Sequence, residues 1–198
     1  PLLVAEDMDK IDNMARSLRE HDVAGAIMKY PRRKPQVVVV WDDAVTGIRC
    51  KGKIDLWSAH LGQSVHVDFK TWTPKRKGIP FHRAFGFESA DLGYDVQAAH
   101  YLDGCRTLEG GERQFLVIAI NKEPESWKPT LHAVHVARFK LEDLDGALRV
   151  RDSLLAQWQS IQDGTWTPPP SRVHTLETHR DVENGHANTP ETAEGAFG

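Results

Sequence analysis

The chain has little cysteine, no long hydrophobic run and no excess of positive charge. Its two cysteines, Cys50 and Cys105, cannot supply the four thiolates of an iron–sulfur cluster. They suit free, buried thiols in a reducing compartment. No apolar run approaches the ~20 residues needed to span a bilayer, and the N-terminus does not read as a secretory signal. A soluble, intracellular protein is therefore expected. The formal net charge is −3, so no global basic field attracts a polyanion. Any contact with nucleic acid would rest on local basic patches. The ten histidines offer no convincing zinc pattern. His132 and His135 lie in an alternating stretch, where a spacing of three points them to opposite faces. Internal repeats are absent. With 198 residues, the chain fits one domain with a sizeable core.

What is present is a pair of alternating runs. Lys51 to Trp57 and Val65 to Thr71 both read as strands. Period two puts Ile54 and Leu56, and then Val65, Val67 and Phe69, on one face. It puts Asp55, His66, Asp68 and Lys70 on the other. Ser58 to Ser64 is short enough for a hairpin, with Gly62 best suited to positive φ. A turn centred near Leu61-Gly62 sets Asp55 opposite Asp68, and opposed Cβ atoms lie about 4.5–5.5 Å apart. Two carboxylates so close repel unless a cation lies between them. A hard divalent ion such as Mg²⁺ takes oxygen ligands of this kind. Lys70, two residues on, could steady an attacking water or negative charge on phosphorus. The plainer reading is a solvent face with a cross-strand Asp–Lys pair.

The remaining chain predicts an α/β domain, a mixed sheet with helices on its faces. Asp7 to Met28 reads as an amphipathic packing helix, with Met8, Ile11, Ala15 and Leu18 on one stripe. Strands are expected at Gln36–Asp42, Ile48–Trp57, Ser64–Thr71, Gln114–Asn121 and Thr130–Phe139. Asp91 to Leu108 reads as a helix capped by Asp91, with Gln97 and Tyr101 sharing a face. Leu141 to Gln162 reads as a long helix whose Asp143, Asp145, Arg149 and Arg151 form a solvated side. Trp72 to Ser89 reads as irregular. Its Lys75, Arg76, Lys77 and Arg83 are candidate DNA contacts, while its Phe residues fit packing better. The fold is expected to occupy 1–166. Residues 167–198, opening with Pro168-Pro169-Pro170, read as a flexible or extended polar arm.

In order, Gly52-Lys53-Ile54-Asp55, Asp68-Phe69-Lys70 and Gln97-Ala98-Ala99-His100-Tyr101 resemble the motifs of the PD-(D/E)xK nuclease superfamily, RecB-like branch. The runs Val37 to Asp55, Tyr94 to Gly104 and Ile120 to Pro124 are similar to the phage and prophage exonuclease VIII (RecE) family, and the similarity covers about residues 7–162. The resemblance implies a restriction-endonuclease-like core. It makes Asp55, Asp68 and the backbone carbonyl of Phe69 metal ligands and Lys70 the catalytic lysine, with Gln97 and Tyr101 lining the active site. It implies Mg²⁺, with Mn²⁺ able to substitute, and 5′-to-3′ degradation of linear duplex DNA in the bacterial host cytoplasm. The product would be a 3′ single strand for a strand-annealing partner, and the enzyme a ring of subunits.

Two departures stand out. RecB-like nucleases carry a metal-binding His on an upstream helix; this chain shows no match for it, which suggests a truncated or processed version of a longer protein. Gln36 stands where relatives often have Glu. An endonuclease on the same fold is one alternative, and a non-catalytic DNA-binding or recombination-assembly module is another. A purely structural role would leave the polar sheet face unexplained.

Overall fold

The computed structural model describes residues 5–74, 78–110 and 113–167. Its elements run α1 (Ala5–Glu20), α2 (Asp22–Lys29), β1 (Lys34–Asp42), β2 (Arg49–His60), β3 (Gln63–Trp72), α3 (Phe81–Leu92), α4 (Tyr94–Glu109), β4 (Gln114–Glu125), β5 (Lys128–Arg138) and α5 (Leu141–Gln162). The strands form one mixed sheet in the order β1-β2-β3-β4-β5. All neighbours are antiparallel except β3 and β4. A parallel pair needs a crossover, and α3 with α4 provides it.

The central strands β3 and β4 are buried on both sides. On one face Leu18, Ala24 and Ile27 of the first two helices pack on Leu56, Val65, Val67, Leu116, Ile118 and Ile120. On the other, Phe85 and Ala98 cover Trp72, Phe115, Val117 and Ala119. This explains why Phe115 to Ile120 is apolar throughout. Full burial of a side chain such as Ile118 contributes roughly 1.5–3 kcal/mol.

Four expectations fail locally. The single helix over Asp7 to Met28 is two helices. His21 has an extended backbone, and its Nδ1 accepts the Ala24 N–H at 3.2 Å, starting α2. The second helix sits so close to the first that a Cβ on Gly25 would lie 2.4 Å from the Arg19 carbonyl oxygen. Met8 and Ile11 stay exposed, and the buried side carries Met14, Ser17 and Leu18. The stretch expected to be irregular holds α3, beginning after Pro80. Gly93, at φ 67°, ends α3 and starts α4, so Asp91 lies in the last turn of α3 and caps nothing. Leu92 and Val96 are four apart, which made one continuous helix look plausible.

The fourth failure is Arg151. It is not on the solvated side of α5 but buried, with ion pairs to Asp43 (2.7 Å), Asp103 (3.0 Å) and Asp152 (2.8 Å). It ties α5 to α4 and to the turn after β1. Both cysteines are free and buried. No helix among the described residues is long and apolar enough to cross a membrane. Thr167 is exposed, and the rest of the proposed arm lies outside the described residues.

Candidate active site

The hairpin of β2 and β3 has the register its sequence predicts. Pairing runs from His60 with Gln63 to Leu56 with Val67, around positive-φ Leu61 and Gly62. The next pair in that register is Asp55 with Asp68, and there the ladder stops. Beyond it β2 stays with β1, while β3 continues with β4.

The parting alters the side-chain pattern. Alternation puts Ile54 and Leu56 on one face, yet they enter different clusters. Leu56 packs with α1 and α2, whereas Ile54 joins Val39, Trp41, Cys50 and Cys105 beside α4. Opposite Asp55, between the Pro35–Leu56 and Val37–Ile54 pairs, sits Gln36 with φ 54°. Left-handed backbone costs a non-glycine residue about 1–3 kcal/mol. The abrupt turn of the strand pair is thus concentrated at Gln36 and Asp55, where the sheet opens.

Asp55 reaches into the opening. Its Oδ2 accepts the Phe69 N–H at 3.0 Å, and the Gln36 Nε2 donates to its Oδ1 at 3.4 Å. Asp68 is nearly fully buried. Its Oδ1 accepts from Gln97 Nε2 at 3.0 Å, and the Lys70 ammonium forms an ion pair with Oδ2 at 2.6 Å. Lys70 also donates to Gln97 Oε1 at 3.1 Å, closing a triangle of carboxylate, amide and ammonium. Burial pushes the Asp68 carboxyl above its ordinary value. Lys70 opposes that shift, the Asp55 charge adds to it, and Gln97 offsets part.

Helix α4 explains the convergence. Its Ala98 and Ala99 are buried, letting it lie close to the sheet with Gln97 over β3. The Tyr101 ring packs on Gly52, where a Cβ would meet it at 3.0 Å. Gly104 is more constrained, since a Cβ there would lie 2.7 Å from the Trp41 ring. The motif glycine Gly52 thus makes room for the motif tyrosine. Asp55, Asp68, Lys70 and Gln97 are joined directly or through the Phe69 main chain, whereas Tyr101 packs on Gly52 and Phe115.

Sequence reading gave no role to Tyr94. The Lys70 ammonium sits over its ring, 4.3 Å from the centroid. The signal was available in its position, three residues before Gln97 on one helix face. His66 shares the face of Asp68 but is a core residue. It is fully buried, its ring stands edge-on to Trp57 at 5.2 Å, and burial with the Arg113 charge lowers its pKa to about 4. Of the candidate DNA contacts, Arg83 is exposed on α3, and Lys75, Arg76 and Lys77 lie outside the described residues.

Among the described residues, no three His, Cys, Asp or Glu side chains gather as a metal site. The donors at the opening are oxygens: two carboxylates, one of them buried and held at Oδ2 by a lysine. That set suits a hard divalent cation completed by main-chain oxygen and water.

A family model described as a PDDEXK-like domain of unknown function (DUF3799) matches residues 2–170. No curated protein matches. Among solved structures, the chain is similar to a "putative exonuclease" from Eubacterium rectale. The identity is 18% and the TM-score 0.57, with 92% of this chain and 67% of that one covered. A second structure, SSO0001, aligns at 14% identity and TM-score 0.38 over 80% of this chain and 61% of its own, too low a score to support an argument.

Proposed function

The chain belongs to the PDDEXK-like family, and from its site we propose a Mg²⁺-dependent deoxyribonuclease that degrades linear duplex DNA from its ends. The observation that carries this reading is the triangle of Asp68, Lys70 and Gln97 beside Asp55. Gln97, 27 residues from Lys70 and 29 from Asp68, hydrogen-bonds both members of the Asp68–Lys70 ion pair. A solvated Asp–Lys pair has no need of a glutamine from another element. The E. rectale likeness supports the fold, and that protein's name agrees with the activity.

The reaction is hydrolysis. A water oxygen bonds to phosphorus, the phosphorus–oxygen ester bond breaks, and the leaving alcohol takes a proton. Asp55, Asp68 and the Phe69 carbonyl would hold the divalent ion. Such an ion, when bound, polarises the phosphate and acidifies water. The chain's own residues do the rest. The Phe69 N–H and Gln36 fix the Asp55 carboxylate. Gln97 bonds both Lys70 and Asp68 and so holds the two together. Lys70 presents the positive charge that orients the water and stabilises charge developing on phosphorus. The Tyr94 face confines that ammonium. No covalent intermediate is required.

The 5′-to-3′ direction, release of a 3′ single strand to an annealing protein and a ring of subunits complete the proposal, supported by resemblance to exonuclease VIII relatives. The test is digestion of linear against covalently closed circular duplex with Mg²⁺, comparing the chain with Asp68→Ala and Lys70→Ala. Loss of linear DNA alone, abolished by both substitutions, is the expected result. Nicking of the closed circle would mean an endonuclease. Inactivity even with Mn²⁺, together with no Asp68-dependent Mn²⁺ binding, would favour a binding module.

A further inference from the structure

We propose that the outer face of the β1–β2 hairpin, carrying Arg49, Lys51 and Lys53, is a phosphate-contact surface for DNA entering the Asp55–Asp68 site. The inference rests on the nuclease reading above. The chain is acidic overall, at −3, so a concentration of cations on one face is not a consequence of composition.

Along β2, Arg49, Lys51 and Lys53 are all exposed and alternate with buried Cys50, Gly52 and Ile54. None of the three enters an ion pair among the described residues. Their cross-strand neighbours are Asp42, Val40 and Val38. The two valines are themselves 39% and 53% exposed, so only Arg49 faces an acid. Helices α1 and α2 leave this end of the sheet open. Helix α2 meets β2 farther along, where Ser58 Oγ donates to the Ile27 carbonyl at 2.7 Å. Arg32, Arg33 and Lys34 are also exposed, but Lys34 lies over the Trp57 ring on the other face of the sheet, so the row consists of Arg49, Lys51 and Lys53 and ends two residues before Asp55.

Residues two apart on a strand advance about 6.6–6.8 Å, so the three side chains present an extended row of charge rather than a point. Protection of a sheet edge is the plainer use of strand lysines, but it does not account for these. The edge strand is β1, whose Val37 to Val40 run carries no charge, while the cations sit on its inner neighbour.

The test is duplex binding by the full chain, measured by fluorescence anisotropy over a salt series without divalent ions. The variant R49Q/K51Q/K53Q should bind at least tenfold more weakly at low salt. Its slope of log affinity against log salt should shrink by about two to three units, roughly one per lost phosphate contact. The charge-preserving R49K/K51R/K53R should keep the parental slope, and circular dichroism should show both folded. An unchanged slope in the neutralised variant would overturn the proposal. So would equal losses in both variants, since shape rather than charge would then be at work. Cleavage by Asp68→Ala would instead sink the nuclease site. The two failures are thus distinguishable.

Discussion

The Oδ2 of Asp55 accepts the Phe69 N–H at 3.0 Å, at the point where β2 and β3 cease to pair. A side-chain carboxylate has replaced the ladder carbonyl. One contact therefore does two jobs: it satisfies a strand amide at the opening of the sheet, and it fixes an acid next to the main chain of Phe69. Asp55→Asn can turn its amide oxygen to the same N–H, whereas Asp55→Ala cannot. Both are expected to abolish cleavage. Asp55→Ala should also cost about 1–3 kcal/mol of stability for the unpaired amide, and Asn much less. Thermal melts of the two variants without metal check this.

The Asp68 carboxyl titrates above its ordinary value because it is buried, and Lys70 is the group holding that rise in check. Lys70→Met should therefore raise the Asp68 pKa further. Carboxyl-carbon NMR titration without metal reads it directly. A fall, or no change, would show that the ion pair contributes little to the state of the acid.

His66 gives a signed pH dependence. Its folded pKa is lowered to about 4, against 6.5 for an ordinary histidine. Between those values the unfolded chain binds a proton that the native state refuses. Stability should thus be full above pH 6.5 and fall as the pH drops toward 4, by about 3 kcal/mol in all. His66→Phe should flatten that part of the denaturation profile. A profile with the parental slope would remove His66 as the cause.

Arg151 faces Asp43 and Asp103 from α5. Burial pushes the Asp43 carboxyl up, but the Thr46 hydrogen bonds, and then the Arg151 charge, hold it below its usual value. Arg151→Met leaves a buried acid without its cation, so a loss of about 3–5 kcal/mol is expected. Because both acids remain, adding Asp43→Asn should recover part of the loss. Urea denaturation of the single and double variants decides it.

Gly104→Ala tests the approach of α4. Alanine favours a helix by about 1 kcal/mol, but its Cβ would lie 2.7 Å from the Trp41 ring. Crowding of a packed core costs about 1–3 kcal/mol, so the melting temperature should fall. Gln97 would shift with the helix, and cleavage should weaken with stability.

Sequence by itself determined the strands, the hairpin register and the acids at its end. Alternation and a Leu61-Gly62 turn fix which residues oppose one another, because strand geometry has a strict period of two. Motif spacing also marked Gln97, although nothing local said what it would touch. Tertiary structure decided the rest. It parted β2 from β3 at Asp55, and so broke the alternation that had placed Ile54 with Leu56. It brought Gln97 onto Lys70 and Asp68 and slid Tyr94 beneath the ammonium. It turned Arg151 inward and divided two apparent helices at His21 and Gly93. The physical reason is common to these cases. Periodicity records the average surroundings of a segment, whereas a kinked strand, a buried ion pair or a shared lysine depends on which distant element arrives against it.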